Sequence, residues 1–190
     1  MKTADRIAEF LHAKGCTHAF GIVGGANLTL FEAISKKMEV ISMCHEQAAA
    51  IAAAYHYRVS GRIAPCLVTA GGGSANAITG VVEAYMDGIP LLVISGNELS
   101  RFFKVQKTRQ IGFQGFNPMD VVHSVTKRVI SVDNPLGAIL AVEGCYKAAL
   151  DHRQGPVWVD IPQDVAAAEL AEVSTLVDYT VDPVRGGALR

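Results

Sequence analysis

Six short runs rich in Val, Ile and Leu alternate with longer stretches whose apolar residues recur at helical spacing, and this alternation restricts the fold more than any other feature. The strand-like runs cover residues 18–22, 39–43, 65–69, 91–95, 125–130 and 157–161. Between them the spacing predicts a helix opened by Thr3 as its cap and stopped by Gly15, and another over 28–37. An alanine-rich helix starts at Glu46 and ends near Ser60-Gly61. Ser74 caps a helix running to Asp87-Gly88, Asn117-Pro118 opens a short one, and 135–153 forms a long one. Strands that are apolar throughout, each followed by an amphipathic helix, favour parallel pairing with helices over both faces. The expectation is α/β: a single three-layer αβα domain with a mostly parallel six-stranded sheet over 1–172. Beyond Val173 the periodicity fades, and 173–190, with Asp182-Pro183-Val184-Arg185-Gly186-Gly187, reads as a tail or the beginning of a linker.

Composition removes several classes. Half the residues are hydrophobic, 18% are charged and the net charge is −1, so no broad electrostatic footprint for nucleic acid or a membrane surface exists. The longest apolar run, Ile89-Pro90-Leu91-Leu92-Val93-Ile94, is too short to span a bilayer, and Met1-Lys2-Thr3-Ala4-Asp5-Arg6 lacks the apolar stretch of a secretory signal. A cytoplasmic protein is expected. Cys16, Cys44, Cys66 and Cys145 are scattered and read as buried reduced thiols; the six histidines show no ligand spacing, and His12 and His152 belong on solvated helix faces. No metal site made by this chain alone is expected.

The chemistry concentrates around Cys44-His45-Glu46-Gln47-Ala48-Ala49-Ala50. Residues 39–43 read as a buried strand, so Glu46 falls in the first turn of the next helix, just past a strand's carboxyl end, where open α/β sheets place their ligands. A carboxylate there also gains from the helix dipole whatever else it does. Two glycine-rich loops follow strands, Gly24-Gly25 and Gly71-Gly72-Gly73. They let backbone N–H groups approach a phosphate, or they serve tight strand-to-helix turning; neither completes a Gly-x-Gly-x-x-Gly or a phosphate-loop signature. Between Glu98 and Gln110 stand Arg101, Lys104, Lys107 and Arg109 against one acid, a solvated loop or an attractor for an anionic substrate. Phe102-Phe103 reads as a packing anchor and Trp158 as core.

Five segments in series resemble the pyrimidine-binding domain of thiamine diphosphate enzymes, in the acetolactate synthase-like branch, from about Thr3 to Val165. They are Phe20-Gly21-Ile22-Val23-Gly24-Gly25-Ala26; His45-Glu46-Gln47-Ala48-Ala49; Thr69-Ala70-Gly71-Gly72-Gly73-Ser74-Ala75-Asn76; Ala84-Tyr85-Met86-Asp87-Gly88-Ile89-Pro90 with Ile94-Ser95-Gly96; and 155–165, beginning Gly155-Pro156-Val157-Trp158. The resemblance implies that the Glu46 carboxyl hydrogen-bonds the aminopyrimidine ring and favours the imino tautomer that takes the thiazolium C2 proton. The cofactor then acts as electron sink toward a 2-keto acid. It implies that Gly24, Gly25 and Ala26 border the reactive centre, that Gly71, Gly73 and Asn76 lie beside the pyrimidine, and that Gln114 of Phe113-Gln114 approaches the substrate. For each of these softer positions a turn or packing role stands equally beside the functional one.

Departures and gaps refine the expectation. Val23 stands where many relatives carry proline, Gly72 replaces the middle proline of Gly-Pro-Gly, and Gly115 follows Gln114 where acetolactate synthases often carry an acid. In the family, magnesium and the diphosphate sit on a second domain with Gly-Asp-Gly and a downstream Asn, and no Gly-Asp-Gly occurs here. The chain thus resembles a separately encoded pyrimidine-binding subunit. Its expected partner is a Gly-Asp-Gly-bearing, diphosphate-binding subunit that holds most of the Mg2+, in an α2β2 assembly with self-association through the helices starting at Glu46 and Ser74. The activity implied is decarboxylation of a 2-keto acid with acyl transfer. The alternatives are a simple decarboxylase, a non-catalytic scaffold that kept the fold, or a fragment of a longer enzyme.

Overall fold

A computed structural model describes residues 1–105 and 109–170. The elements are α1 (Thr3–Ala13), β1 (His18–Gly21), α2 (Leu28–Ser35), β2 (Glu39–Ser42), α3 (Glu46–Ser60), β3 (Cys66–Val68), α4 (Gly72–Asp87), β4 (Leu91–Asn97), α5 (Ser100–Val105), α6 (Pro118–Val122), β5 (Arg128–Ser131), α7 (Pro135–Leu150), β6 (Pro156–Pro162) and α8 (Gln163–Ala167). All pairings in the sheet are parallel and its order is β2-β1-β3-β4-β6-β5. The boundary expected near 172, the tail 173–190 and Lys107 lie outside the described residues.

Period-two alternation gives the sheet two apolar faces. On β4, Leu92 and Ile94 join one core cluster while Leu91 and Val93 join the other; on β6, Val157, Val159 and Ile161 face the first and Trp158 the second. The first cluster is covered by residues of α1, α2, α7 and α8, the second by residues of α3, α4 and α6. The result is the three-layer αβα arrangement expected from the sequence.

Local chemistry sets the helix ends. The Asn134 side chain accepts from the Gly137 N–H at 2.7 Å and Pro135 opens α7, so an orphan donor is satisfied and φ is preset. The Lys127 ammonium donates to the carbonyls of Ala148, in that helix's last turn, and of Asp151, just past it. Gly61 and Gly88 stop α3 and α4 in the left-handed region. The alanine-rich α3 lets α4 approach closely: a Cβ added at Gly80 would stand 2.6 Å from the Ala50 Cβ.

Several expectations are corrected. Thr3 lies inside the first turn of α1, its hydroxyl donating to the Ala168 carbonyl at 3.2 Å, while Lys2 takes the cap position. Ser74 is the third residue of α4, with its hydroxyl on the Thr69 carbonyl at 2.7 Å, and Gly71 takes the cap. Strand β2 is an edge strand with exposed ends rather than a buried one, because only β1 pairs with it among the described residues. Helix α7 stops at Leu150, so His152 is exposed beyond its end instead of on its face. Cys44 is exposed, whereas Cys16, Cys66 and Cys145 are buried, where desolvation pushes each thiol up to about 12. The spacing of the sequence did not predict α5 or α8.

Candidate active site at the carboxyl edge of the sheet

Every candidate residue read from the sequence falls at or beyond the carboxyl end of a strand. The loop after β1 carries Gly24, Gly25 and Ala26. The turn after β2 leads to Glu46, the loop after β3 to Gly71, Gly73 and Asn76, and the chain beyond β4 to Gln114.

Glu46 is the first residue of α3. The turn before it is fixed by His45 at the cap position, whose Nδ1 accepts from the Gln47 N–H at 3.2 Å. The Glu46 side chain is nearly buried, at 9% exposure, which is unusual for a helix-start acid serving only the dipole. Its Oε2 accepts from Asn76 Nδ2 at 3.0 Å, a bond between α3 and the first turns of α4. Its Oε1 faces Gly73, where an added Cβ would sit only 3.1 Å away. A side chain at 73 would therefore cover the carboxylate oxygen that Asn76 leaves free.

Thr69, at the end of β3, is the floor of this corner. Cβ atoms at Gly24 and Gly73 would come within 2.6 Å and 2.8 Å of its side chain, so the glycines of the two loops close over one threonine. Its Oγ1 is buried and has no hydrogen-bond partner among the described residues, an arrangement that ordinarily needs an explanation. The loop after β1 is tied by Asn27, whose Oδ1 accepts from the Gly24 N–H at 2.7 Å and whose Nδ2 donates to the Ile22 carbonyl at 3.0 Å. Gly71 has φ +71°, and a Cβ there would run into the Gln114 carbonyl oxygen. The structure thereby brings Gln114 to the glycine loop through its backbone, while the Gln114 side chain is exposed and Phe113 beside it is 86% exposed. By contrast, Gly25 and Gly72 border open space, so nothing in the described packing requires a glycine at either position.

Sequence reasoning missed a second set of polar residues next to this corner. Asp160 is fully buried on β6 and accepts from Ser95 Oγ at 2.5 Å and Asn97 Nδ2 at 2.8 Å, with Ser131 Oγ at 3.4 Å. Trp158 Nε1 donates to the same Ser95 hydroxyl at 2.7 Å. Burial pushes the Asp160 carboxyl up to about 6, although the hydrogen bonds from Ser95, Asn97 and Ser131 pull the other way. Glu98, counted from the sequence as the lone acid of a basic run, is buried at 5% exposure and accepts from the Gln114 N–H at 3.1 Å. An acid inside the otherwise apolar Val157-Trp158-Val159-Asp160-Ile161 was the available signal. Of the basic run, Arg101 and Arg109 are exposed.

The residues present fit a thiamine diphosphate pyrimidine. A buried carboxylate keeps one oxygen approachable through a glycine gap, and a partnerless hydroxyl lies at the base of the same corner. Among the described residues no group of three or more His, Cys, Asp or Glu side chains is arranged to hold a metal ion, and no helix is long and apolar enough to cross a membrane.

Comparison with known proteins identifies the family. Residues 1–121 match the family described as thiamine pyrophosphate enzyme, N-terminal TPP binding domain. The acetolactate synthase large subunit of Corynebacterium glutamicum is 33% identical over 90% of this chain and 27% of its own length. The mitochondrial acetolactate synthase of Schizosaccharomyces pombe is 38% identical over 82% of the chain and 23% of its own length. The acetolactate synthase isozyme 2 large subunit of Escherichia coli K12 is 31% identical over 95% of the chain and 33% of its own length. The chain thus spans about a quarter to a third of the length of these relatives. It belongs to the thiamine pyrophosphate enzyme family, as an acetolactate synthase-like N-terminal domain, and that family implies thiamine diphosphate as its cofactor.

Proposed function

We propose that this domain is the pyrimidine-binding half of a cytoplasmic thiamine diphosphate enzyme that decarboxylates a 2-keto acid and transfers the acyl fragment, as the name of its acetolactate synthase relatives suggests. The observation that supports it best is the nearly buried Glu46, held by Asn76 on one oxygen and left approachable past Gly73 on the other. In this reading Glu46 would share a proton with the ring nitrogen of the pyrimidine, and Asn76, by holding Oε2, would leave Oε1 for that bond. Gly73 would leave Glu46 Oε1 open to the ring, Gly24 and Gly71 would set the two loops close beside it by packing on Thr69 and Gln114, Gly25 and Ala26 would border it, and Gln114 would meet the substrate from the rim. The cofactor, when bound, supplies the electron sink for loss of the keto acid's carboxylate.

The diphosphate and Mg2+ belong, in this proposal, to a partner half with a Gly-Asp-Gly segment, on a separate subunit in an α2β2 assembly. The outward residues Tyr55, Val59, Tyr85 and Met86 of α3 and α4 are exposed large hydrophobics and support association through those helices. Ala49, Ala50, Ala53 and Ala54 are buried in the chain's own core, which leaves the outer faces of the two helices for association. A second reading, decarboxylation with release of an aldehyde, is favoured by Gly115. A Cβ there would stand 2.6 Å from Asn97 Oδ1, so the acid that acetolactate synthases often carry after the Phe-Gln pair has no room.

Glu46→Gln tests the proposal. It keeps size and hydrogen-bonding capacity and removes the shared proton, so turnover of the reconstituted complex should drop roughly 10²- to 10⁴-fold. C2 proton–deuterium exchange of the bound cofactor should slow in parallel. Unchanged exchange and turnover would make Glu46 a helix-start residue only and overturn the role proposed for it.

A further inference from the structure

Glu98 and Asn97, anchored on buried Asp160, hold a small hairpin against the glycine loop, and we propose that they are the positioning residues of the substrate-side rim. The proposal rests on reading the Glu46–Gly73 corner as the cofactor site.

The hairpin is defined by reciprocal backbone bonds, Ile111 N–H to the Gly115 carbonyl at 2.7 Å and Gly115 N–H to the Ile111 carbonyl at 2.8 Å. Only Gly112, Phe113 and Gln114 lie between, and Gly112 has φ +60°, so the turn is tight and depends on glycine. Such a short, exposed turn has little apolar contact to fix it. Phe113 points away into solvent, and the Gln114 carbonyl rests against Gly71.

Polar contacts fix the turn: at the surface Gln110 Nε2 donates to the Gly112 and Phe113 carbonyls at 3.2 Å and 3.1 Å, and beneath it lies a buried set. Glu98 Oε1 accepts from the Gln114 N–H at 3.1 Å, directly behind the residue that faces the rim. The Glu98 side chain is wrapped by the turn so closely that a Cβ at Gly112 or Gly115 would stand 2.7 Å or 2.8 Å from it. Asn97 holds both ends of the arrangement. Its Oδ1 accepts from the Glu98 N–H at 2.9 Å, and its Nδ2 donates to the Phe116 carbonyl at 3.1 Å, just past the hairpin. The same Nδ2 donates to Asp160 Oδ2 at 2.8 Å, so β6 sets the orientation of the amide. A buried carboxylate accepting from a backbone N–H forms a charge-assisted bond, stronger than a neutral one. A hydrophobic pair could pack the hairpin equally well, but it could not specify where the Gln114 amide points.

The test uses the intact chain first and the reconstituted enzyme second. Glu98→Ala removes the acceptor, and amide hydrogen exchange across 109–117 should speed up roughly ten- to hundred-fold, the loss of one charge-assisted bond, with exchange in α3 and α4 unchanged. Glu98→Gln keeps an acceptor oxygen and should restore near-parental protection. Gly115→Ala attacks the same contact from the hairpin side and should mimic Glu98→Ala while the acid stays in place. In the reconstituted enzyme Glu98→Ala should raise KM for the keto acid roughly ten-fold or more, with C2 proton–deuterium exchange at the parental rate. Parental protection of 109–117 in Glu98→Ala, or a parental KM, would overturn the proposal. Should Glu46→Gln leave C2 exchange untouched while Glu98→Ala still deprotects the hairpin, the cofactor-site reading fails and the hairpin contact survives it.

Discussion

Gly80→Ala puts two known magnitudes in opposition at one helix contact. Alanine replaces glycine in the interior of α4, which by propensity alone should stabilise the helix by about 0.8–1.0 kcal/mol. The new Cβ, however, would stand 2.6 Å from the Ala50 Cβ, 3.0 Å from the Ile51 nitrogen and 3.2 Å from the Ala50 carbonyl carbon. The last two are backbone atoms of α3, so no flexible tip can swing aside and the helices must move apart. Overpacking of that kind costs about 1–3 kcal/mol, so the net expectation is destabilisation by about 0–2 kcal/mol despite the better helix former. Ala50→Gly alone should also destabilise, by about 2 kcal/mol, from propensity and a lost buried methyl. Combined, the two remove the 2.6 Å contact between Cβ positions but leave the new Cβ against the Ile51 nitrogen and the Ala50 carbonyl carbon, so the spacing is only partly restored. The double variant should therefore lie well above the additive sum, with a coupling of at least about 1 kcal/mol. Urea unfolding of the four chains at constant m measures all of this. A stabilised Gly80→Ala would refute the claim that α4 meets backbone atoms of α3 at this point, and a simply additive double variant would refute the contact between positions 80 and 50.

Two further outcomes are expected. Because Asp160 binds its proton more tightly in the fold, with the carboxyl raised from 3.8 to about 6, its contribution to stability is greatest below about pH 4 and declines as pH rises to about 6. At 1.36 kcal/mol per unit the decline is about 3 kcal/mol, and Asp160→Asn should remove it; urea midpoints for parent and variant that run parallel from pH 4 to 7 would contradict this. The isolated chain should bind thiamine diphosphate weakly in calorimetric titration with magnesium, since magnesium usually bridges protein carboxylate and phosphate oxygens and no metal-holding cluster exists among the described residues. Tight binding without a partner half would sink the two-half site.

The strands were legible because burial on both faces writes itself into sequence: Leu91-Leu92-Val93-Ile94 has no polar side to hide. What the sequence could not show was position within the sheet. Val40, Ile41 and Met43 look as apolar as a central strand, yet whether a second neighbour covers them is decided by residues far along the chain. Thr3 and Ser74 were read as caps by a sound local rule; a distant contact overrode it at Thr3, whose hydroxyl goes to the Ala168 carbonyl, and a local one at Ser74, whose hydroxyl turns back to the Thr69 carbonyl five residues earlier. Glu46 was legible through its place after a strand and through family resemblance. Glu98 was not, since a lone acid among four cations reads as solvated until Gly112 and Gly115 are seen folded around it. Asn97 and Asp160 are linked only by strand register, and register between distant strands leaves no mark in a local window.

The sheet order also dictates a sequence of events for a chain finding this structure. Strands β2, β1, β3 and β4 neighbour one another in a compact stretch of chain, whereas β4 and β6 pair across the longest separation in the sheet. Closing that long loop costs the most chain entropy before any contact rewards it, so docking of β6 comes late. Until then Ser95 and Asn97 lie on an open edge without Asp160, and nothing fixes the amide that steers the Gln114 hairpin. The rim of the site is therefore finished by the same step that completes folding, and a chain arrested before it would present the Glu46 corner beneath an unset rim.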